Sequence, residues 1–252
     1  DLNAMSSVRT EAARALGKIA VPSSVAPLSK AFRSKSAEFD TRYEAAHALA
    51  KISTDEAFDK LKEGLDHQDH RIRILSSSAI AFSFNAQKSI CKLIDLCEDC
   101  FPEVRLAAVE SLAVLKDPSS IAALTKRLGD HNAQISKEAA KALGAFGSAA
   151  LPFIRRCLDD GDTELEEKQS AIEALGHIDS SEVVDICSVL MAREEHQIRK
   201  KLVDALLHCD SSQSIELLKQ AVADEWPTVR AKALQSLTEK LGNDARPYLL
   251  EA

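Results

Sequence analysis

The sequence predicts an all-α chain, an α-α superhelix of about seven to eight stacked two-helix units, and three observations carry that expectation. A motif recurs at a nearly fixed period, with register marks at Arg9, Arg42, Arg73, Arg105, Ser136, Lys168, Arg199 and Arg230 separated by 33, 31, 32, 31, 32, 31 and 31 residues. Self-similarity at such a period marks an array whose units bury their apolar faces only by stacking on one another. Seven residues after each mark stands a large aliphatic side chain, Leu16, Leu49, Ile80, Leu112, Leu143, Leu175, Leu206 or Leu237, preceded by Ala or Ser. Finally, nothing alternates as a half-buried strand would, and no short turn joins two β-branched runs.

The elements follow from this register. Val8, Ala12, Ala15, Leu16 and Ile19 fall at helical spacing and leave Thr10, Glu11, Arg14 and Lys18 on another face, which makes the first copy an amphipathic helix, here termed B. Pro22 and Ser23-Ser24 then open a second helix, A, carrying Val25, Leu28 and Phe32. Later A helices show the same punctuation: Ser53-Thr54-Asp55 before Phe58, Asp117-Pro118-Ser119 before Ile121, Ser180-Ser181 before Val184, and Ser211-Ser212 before Ile215. Each A helix runs into an acidic turn. Asp99, Asp130, Asp162 and Asp224 each stand six residues before a mark, so a ladder of Asp–Arg contacts within or between units is expected. The pattern weakens at Ser136, which replaces a basic mark, and at Glu167, which replaces an apolar residue; a local bend, loosened packing or plain variation of the repeat are the readings there. The whole of 1–252 reads as a single array. Its opening on Asp1 and a B helix, and its close on an A helix at Ala245 to Glu251, read as a segment flanked by further repeats or another domain in a longer protein.

Val8-Arg9 with Ala12-Ala13 and Leu16-Gly17, Val104-Arg105 with Ala108 and Leu112, Ala139-Ala140 with Leu143-Gly144, and Leu175-Gly176 resemble the HEAT-like repeats first recognised in phycobilisome bilin lyases. The resemblance covers essentially the whole chain. It implies a right-handed HEAT-repeat solenoid, armadillo-like, with B helices lining a concave groove and A helices on the convex side. The period is shorter than the roughly 40–47 residues of larger HEAT units and suits the compact form. The signatures of ankyrin and tetratricopeptide repeats are missing from the sequence.

Composition bounds the function. Apolar residues are 45% and aromatics 4%, so Leu, Ile, Val and Ala fill the core. With 39 acidic against 32 basic residues, net −7, the chain lacks the cationic excess on which phosphate-backbone binding depends, and nucleic-acid binding or base excision is disfavoured. Cys91, Cys97, Cys100, Cys157, Cys187 and Cys209 read as mostly buried, reduced thiols of a chain too large to need staples. No apolar run approaches the roughly 20 residues that span a bilayer, and a soluble cytoplasmic protein without membrane contact is expected.

The family that the repeats resemble includes a di-iron hydroxylase acting on deoxyhypusine, whose ligands are His-Glu pairs; none of His47, His67, His70, His131, His177, His196 and His208 is followed by Glu. Gly-rich phosphate loops and nucleophile elbows are missing as well. Cys97 and Cys100, with His67, His70 and His131 in neighbouring turns, form the one metal-like spacing, and a lone pair of this kind is a weak zinc signal. No cofactor is expected. The stronger candidate is the B-helix face one, two, five and nine residues past each mark: Ile74, Leu75, Ser78 and Phe82 in the third copy, Leu106, Ala107, Glu110 and Val114 in the fourth, Tyr43, Glu44, His47 and Lys51 in the second. Elsewhere these positions are polar. An apolar patch with charged flanks suits a helix or extended peptide, and Tyr43, His47, Ile74, Leu75, Phe82 and Leu106 are the expected partner-binding residues. The alternative is that the third B helix is rotated, so that Ile74 and Phe82 form its core face. The function expected is a non-enzymatic scaffold for a protein or peptide partner. The resemblance alone implies a second possibility, a bilin or chromophore lyase subunit or a chaperone.

Overall fold

The computed structural model describes residues 2–251, with side chains described from residue 7 to residue 250. Among the described residues there are α-helices, short 3-10 turns and no strands. Among the described residues the chain is all-α, and it divides into two compact units, 1–120 and 121–252.

Unit 1 contains α1 (Leu2–Ile19), α2 (Val25–Arg33), α3 (Phe39–Lys51), α4 (Asp55–Leu65), α5 (His70–Ile80), α6 (Ile90–Leu96) and α7 (Pro102–Leu115). The B helices α1, α3, α5 and α7 pack each on the next as one layer, and the A helices α2, α4 and α6 form the other. Unit 2 repeats the plan with α8 (Ile121–Lys126), α9 (Ala133–Gly144), α10 (Leu151–Asp159), α11 (Leu165–Gly176), α12 (Ser181–Arg193), α13 (His196–Leu207), α14 (Ser212–Ala221), α15 (Pro227–Leu241) and α16 (Arg246–Glu251). Its B layer is α9, α11, α13 and α15.

Side-chain caps start several of these helices. Thr54 accepts from the Ala57 N–H at 3.2 Å and Ser211 from the Ser214 N–H at 3.0 Å, while Asp69, Asn132 and Ser180 accept from the N–H two residues on. Each bond satisfies a donor that the first helical turn leaves orphaned. Pro102 and Pro227 sit in the first turn of α7 and α15, where a missing N–H costs nothing.

The small residues of the motif exist for close helix approach. A Cβ on Gly17 would lie 2.8 Å from the Ala48 Cβ, and one on Gly176 would lie 3.3 Å from the Ala205 Cα. In each case glycine of one B helix meets alanine of the next. On α5 the buried stripe is Ile72, Leu75, Ser76, Ala79 and Ile80, an i, i+3, i+4, i+7, i+8 pattern. Ser76 packs against Gly64 of α4, where a Cβ would come within 2.0 Å of the Ser76 hydroxyl, so position 64 takes only glycine. Val8 and Ile19 are exposed on α1, which within this unit packs on α3 alone among the B helices.

The expected Asp–Arg ladder forms at Asp99 and Asp224, from one repeat to the next turn, whereas Asp130 meets Arg127 of its own turn and Asp162 is exposed. Arg73 Nε and Nη2 donate to the two carboxylate oxygens of Asp99 at 2.8 and 3.0 Å, while Nη1 donates to the His67 carbonyl of its own turn at 2.7 Å. Arg105 then donates to the Asp99 carbonyl at 2.9 Å. Unit 2 repeats this with Arg199 on Asp224 at 2.8 and 3.0 Å, on the Glu194 carbonyl at 2.8 Å, and Arg230 on the Asp224 carbonyl at 2.9 Å. Such bidentate pairs combine charge with fixed geometry. Burial pushes the Asp99 and Asp224 carboxyls up, but hydrogen bonds from the arginine and from the N–H of Phe101 or Trp226 outweigh it and hold both below the usual carboxylate range.

Candidate protein-interaction face

The B-helix face of unit 1 carries a run of rings. Phe39 and Tyr43 lie one turn apart on α3 with centroids 6.5 Å apart, Tyr43 and His47 follow at 4.2 Å, and His47 reaches Phe82, just past α5, at 6.1 Å. Phe82 is 61% exposed and Tyr43 41%. Beside them Ser78, Glu110 and Val114 close a cleft of about 210 Å3. The Ser78 hydroxyl donates back to the Leu75 carbonyl at 3.1 Å, as a helical serine does when no other partner claims it. His47 is half-buried, and its Nε2 is buried without a hydrogen-bond partner. Burial lowers its pKa while Glu44 pulls the other way, which leaves a neutral ring at the base of an aromatic cleft.

Tyr43, His47 and Phe82, expected from register, therefore come together. Ile74 lies on α5 and Leu106 on α7, one turn before Glu110; both are half-buried and lie outside the cleft. Leu75 corrects the expectation. It is 0% exposed, because the position two past the mark joins the buried stripe with Ile72 and Ala79 instead of the open face. Ala107 is buried for the same reason. The rotated-core alternative does not hold for Phe82, since Ser76 and Ser77 occupy the interior. Ser77 gives its carbonyl to the Ser111 hydroxyl of α7 at 2.7 Å, a polar contact that small side chains permit.

The corresponding face of unit 2 is different. Lys141 pairs with Glu138 at 2.7 Å, Lys232 pairs with Asp204, and no Phe, Tyr or Trp stands at these positions, where the rings are His177 and His208. Each unit does carry one ring stack in a turn: His70 on Phe101 at 4.2 Å, with Arg73 over the Phe101 ring, and His196 on Trp226 at 3.9 Å. These stacks escape a reading of single motifs, although their positions, three before one mark and four before the next, are periodic.

The metal-like spacing does not form a site. Cys97 is buried, Cys100 is exposed, His67 Nδ1 accepts from the Asp69 N–H at 3.0 Å, and His70 is stacked on Phe101. Among the described residues no group of three or more His, Cys, Asp or Glu is placed to hold a metal ion. Cys91 and Cys100 are exposed, whereas Cys97, Cys157, Cys187 and Cys209 are buried, and burial pushes the Cys157 and Cys187 thiols up to about 12. No helix among the described residues is long and apolar enough to cross a membrane.

The family model of HEAT repeats matches residues 3–81, 90–169 and 161–238. The chain belongs to the HEAT-repeat family. No curated protein matches it in sequence. Among solved structures of HEAT-like form, it is similar to a chain of a full-length AP-3 complex model, at 12% identity and a TM-score of 0.61 over 100% of this chain and 50% of that one. It is similar also to Kap95p bound to RanGDP, at 13% identity and a TM-score of 0.60 over 93% of this chain and 38% of that one. The phycocyanin lyase complex of CpcE and CpcF from a Nostoc species matches at 17% identity and a TM-score of 0.46, over 93% of this chain and 90% of that one. The likeness to the first two shows the fold alone.

Proposed function

We propose that the chain is a non-enzymatic scaffold that binds a protein or peptide partner through the B-helix face of unit 1. The observation that carries the proposal is the run Phe39, Tyr43, His47 and Phe82 across consecutive B helices, open to solvent beside a cleft that fits one partner side chain. Exposed aromatic side chains on a rigid support are the residues that most often dominate interface energies. Their support here is rigid because the helices beneath them meet through alanine, serine and glycine at close range. Ile74 and Leu106 extend the apolar surface on its flank.

The experiment compares proteins retained from native lysate by the immobilised chain and by a Tyr43→Asp, Phe82→Asp double variant. Both positions are exposed, so helicity by circular dichroism should be unchanged. Loss of a retained protein from the variant, with at least a tenfold fall in its affinity, about 1.4 kcal/mol, is the expected outcome. An identical set retained by both forms would remove the basis of the proposal.

A further inference from the structure

A second surface, independent of the first, lies in the A layer of unit 2. There α10 and α12 run side by side, bridged at one end by Arg193 on Asp159, and leave a gap along the rest of their length. The gap between them is a groove of about 560 Å3, within the roughly 300–1,000 Å3 range of clefts that hold ligands. Leu151, Leu158 and Leu190 are buried beneath its floor, and its accessible apolar surface is Pro152 from α10 with Ile186 and Val189 from α12, Val189 being 54% exposed.

The two ends of the groove differ in charge. Near Leu151 stand Glu182 and Asp185, both exposed, with no cation within salt-bridge distance among the described residues. At the other end the charges are matched, since Asp159 takes Arg193 at 2.6 Å and Arg155 at 3.6 Å, and Arg193 also reaches Glu194 at 3.5 Å. The backbone on both walls is helical and bonded within itself, so no open strand edge offers pairing to an extended peptide. An occupant that satisfies its own backbone fits this lining better. The nine residues of α10 span about 13 Å, which sets the length at two to three helical turns.

From these features we propose that the α10–α12 groove docks a short amphipathic helix of a protein partner, its apolar stripe on Pro152, Ile186 and Val189 and a lysine or arginine at the end that meets Glu182 and Asp185.

The test uses a fluorescein-labelled, lactam-stapled peptide of about ten residues, with leucines on one face and two lysines at one end, titrated into the full chain by fluorescence anisotropy. Saturable binding is expected, weakened at least tenfold by Val189→Asp. Asp185→Lys should weaken it as well, and glutamates in place of the peptide lysines should restore binding to that variant. Both substitutions are at exposed positions and leave the fold intact. Phe82→Asp, on the other unit, should leave binding unchanged, so failure here and failure of the unit 1 reading are separable. The proposal is overturned if no saturable binding occurs, or if Val189→Asp binds as the parent does. It is equally overturned if sedimentation shows a dimer that Val189→Asp dissociates, because the occupant would then be a second copy of this chain.

Discussion

The two units share their turns and differ in their B faces. Arg73 on Asp99 and Arg199 on Asp224 have the same pair of distances, 2.8 and 3.0 Å, and each arginine also holds a carbonyl of its own turn. Above these equivalent turns, unit 1 presents Tyr43, His47 and Phe82, whereas unit 2 presents the self-neutralised pairs Lys141–Glu138 and Lys232–Asp204. What recurs in both units is what stacking requires. What occurs in one unit alone is free to serve recognition, and its exposure carries a solvation cost that packing does not repay.

The comparison is sharpened most by a pair of truncations on adjoining turns of unit 1. Leu75→Ala removes a fully buried side chain held between neighbouring helices, and should lower unfolding free energy by about 3 kcal/mol, from lost transfer energy and the cavity left behind. Phe82→Ala, at a 61% exposed position, should change it by less than about 0.5 kcal/mol. Urea unfolding followed by circular dichroism measures both. Equal losses would put Phe82 in the core and dissolve the distinction between scaffold and face.

A somewhat smaller effect tests the shared turns. Arg73→Ala strips Asp99 of a bidentate partner in a largely buried setting and should cost about 2–3 kcal/mol at neutral pH. The sign with pH is fixed by the depressed carboxyls: the pairs contribute fully above the unfolded aspartate value near 4 and lose that contribution as pH falls through the lower folded values. The parent should therefore lose stability steeply below about pH 4, and an Arg73→Ala, Arg199→Ala double variant should lose much less over the same range. Parallel pH profiles for the two forms would show that the turns do not depend on these pairs.

The scaffold was legible because stacking constrains residue size at fixed intervals. Gly17 against Ala48 leaves no room for a Cβ and Gly176 against Ala205 leaves little, so the period survives in the sequence. The face was legible in part. Tyr43, His47 and Phe82 follow from register, but Leu75 did not, because a shift of one position on a helix turns a side chain by about 100° and moves it from open face to core stripe. The groove between α10 and α12 was not readable. It depends on how far α10 and α12 splay, and both walls keep an ordinary helical pattern. The stacks of His70 on Phe101 and His196 on Trp226 were hidden for another reason: their partners lie a full repeat apart, and only alignment of successive copies brings them together.

The central claim, that the B face of unit 1 is the recognition surface, is tested most directly by photo-crosslinking. The photoreactive residue p-benzoylphenylalanine is placed at position 82, or at exposed position 200 on the equivalent face of unit 2, and the native lysate is irradiated with each form. The account predicts a discrete adduct from position 82 that Tyr43→Asp abolishes, and none from position 200. Adducts of equal yield from both positions, or an adduct at 82 indifferent to Tyr43, would contradict it.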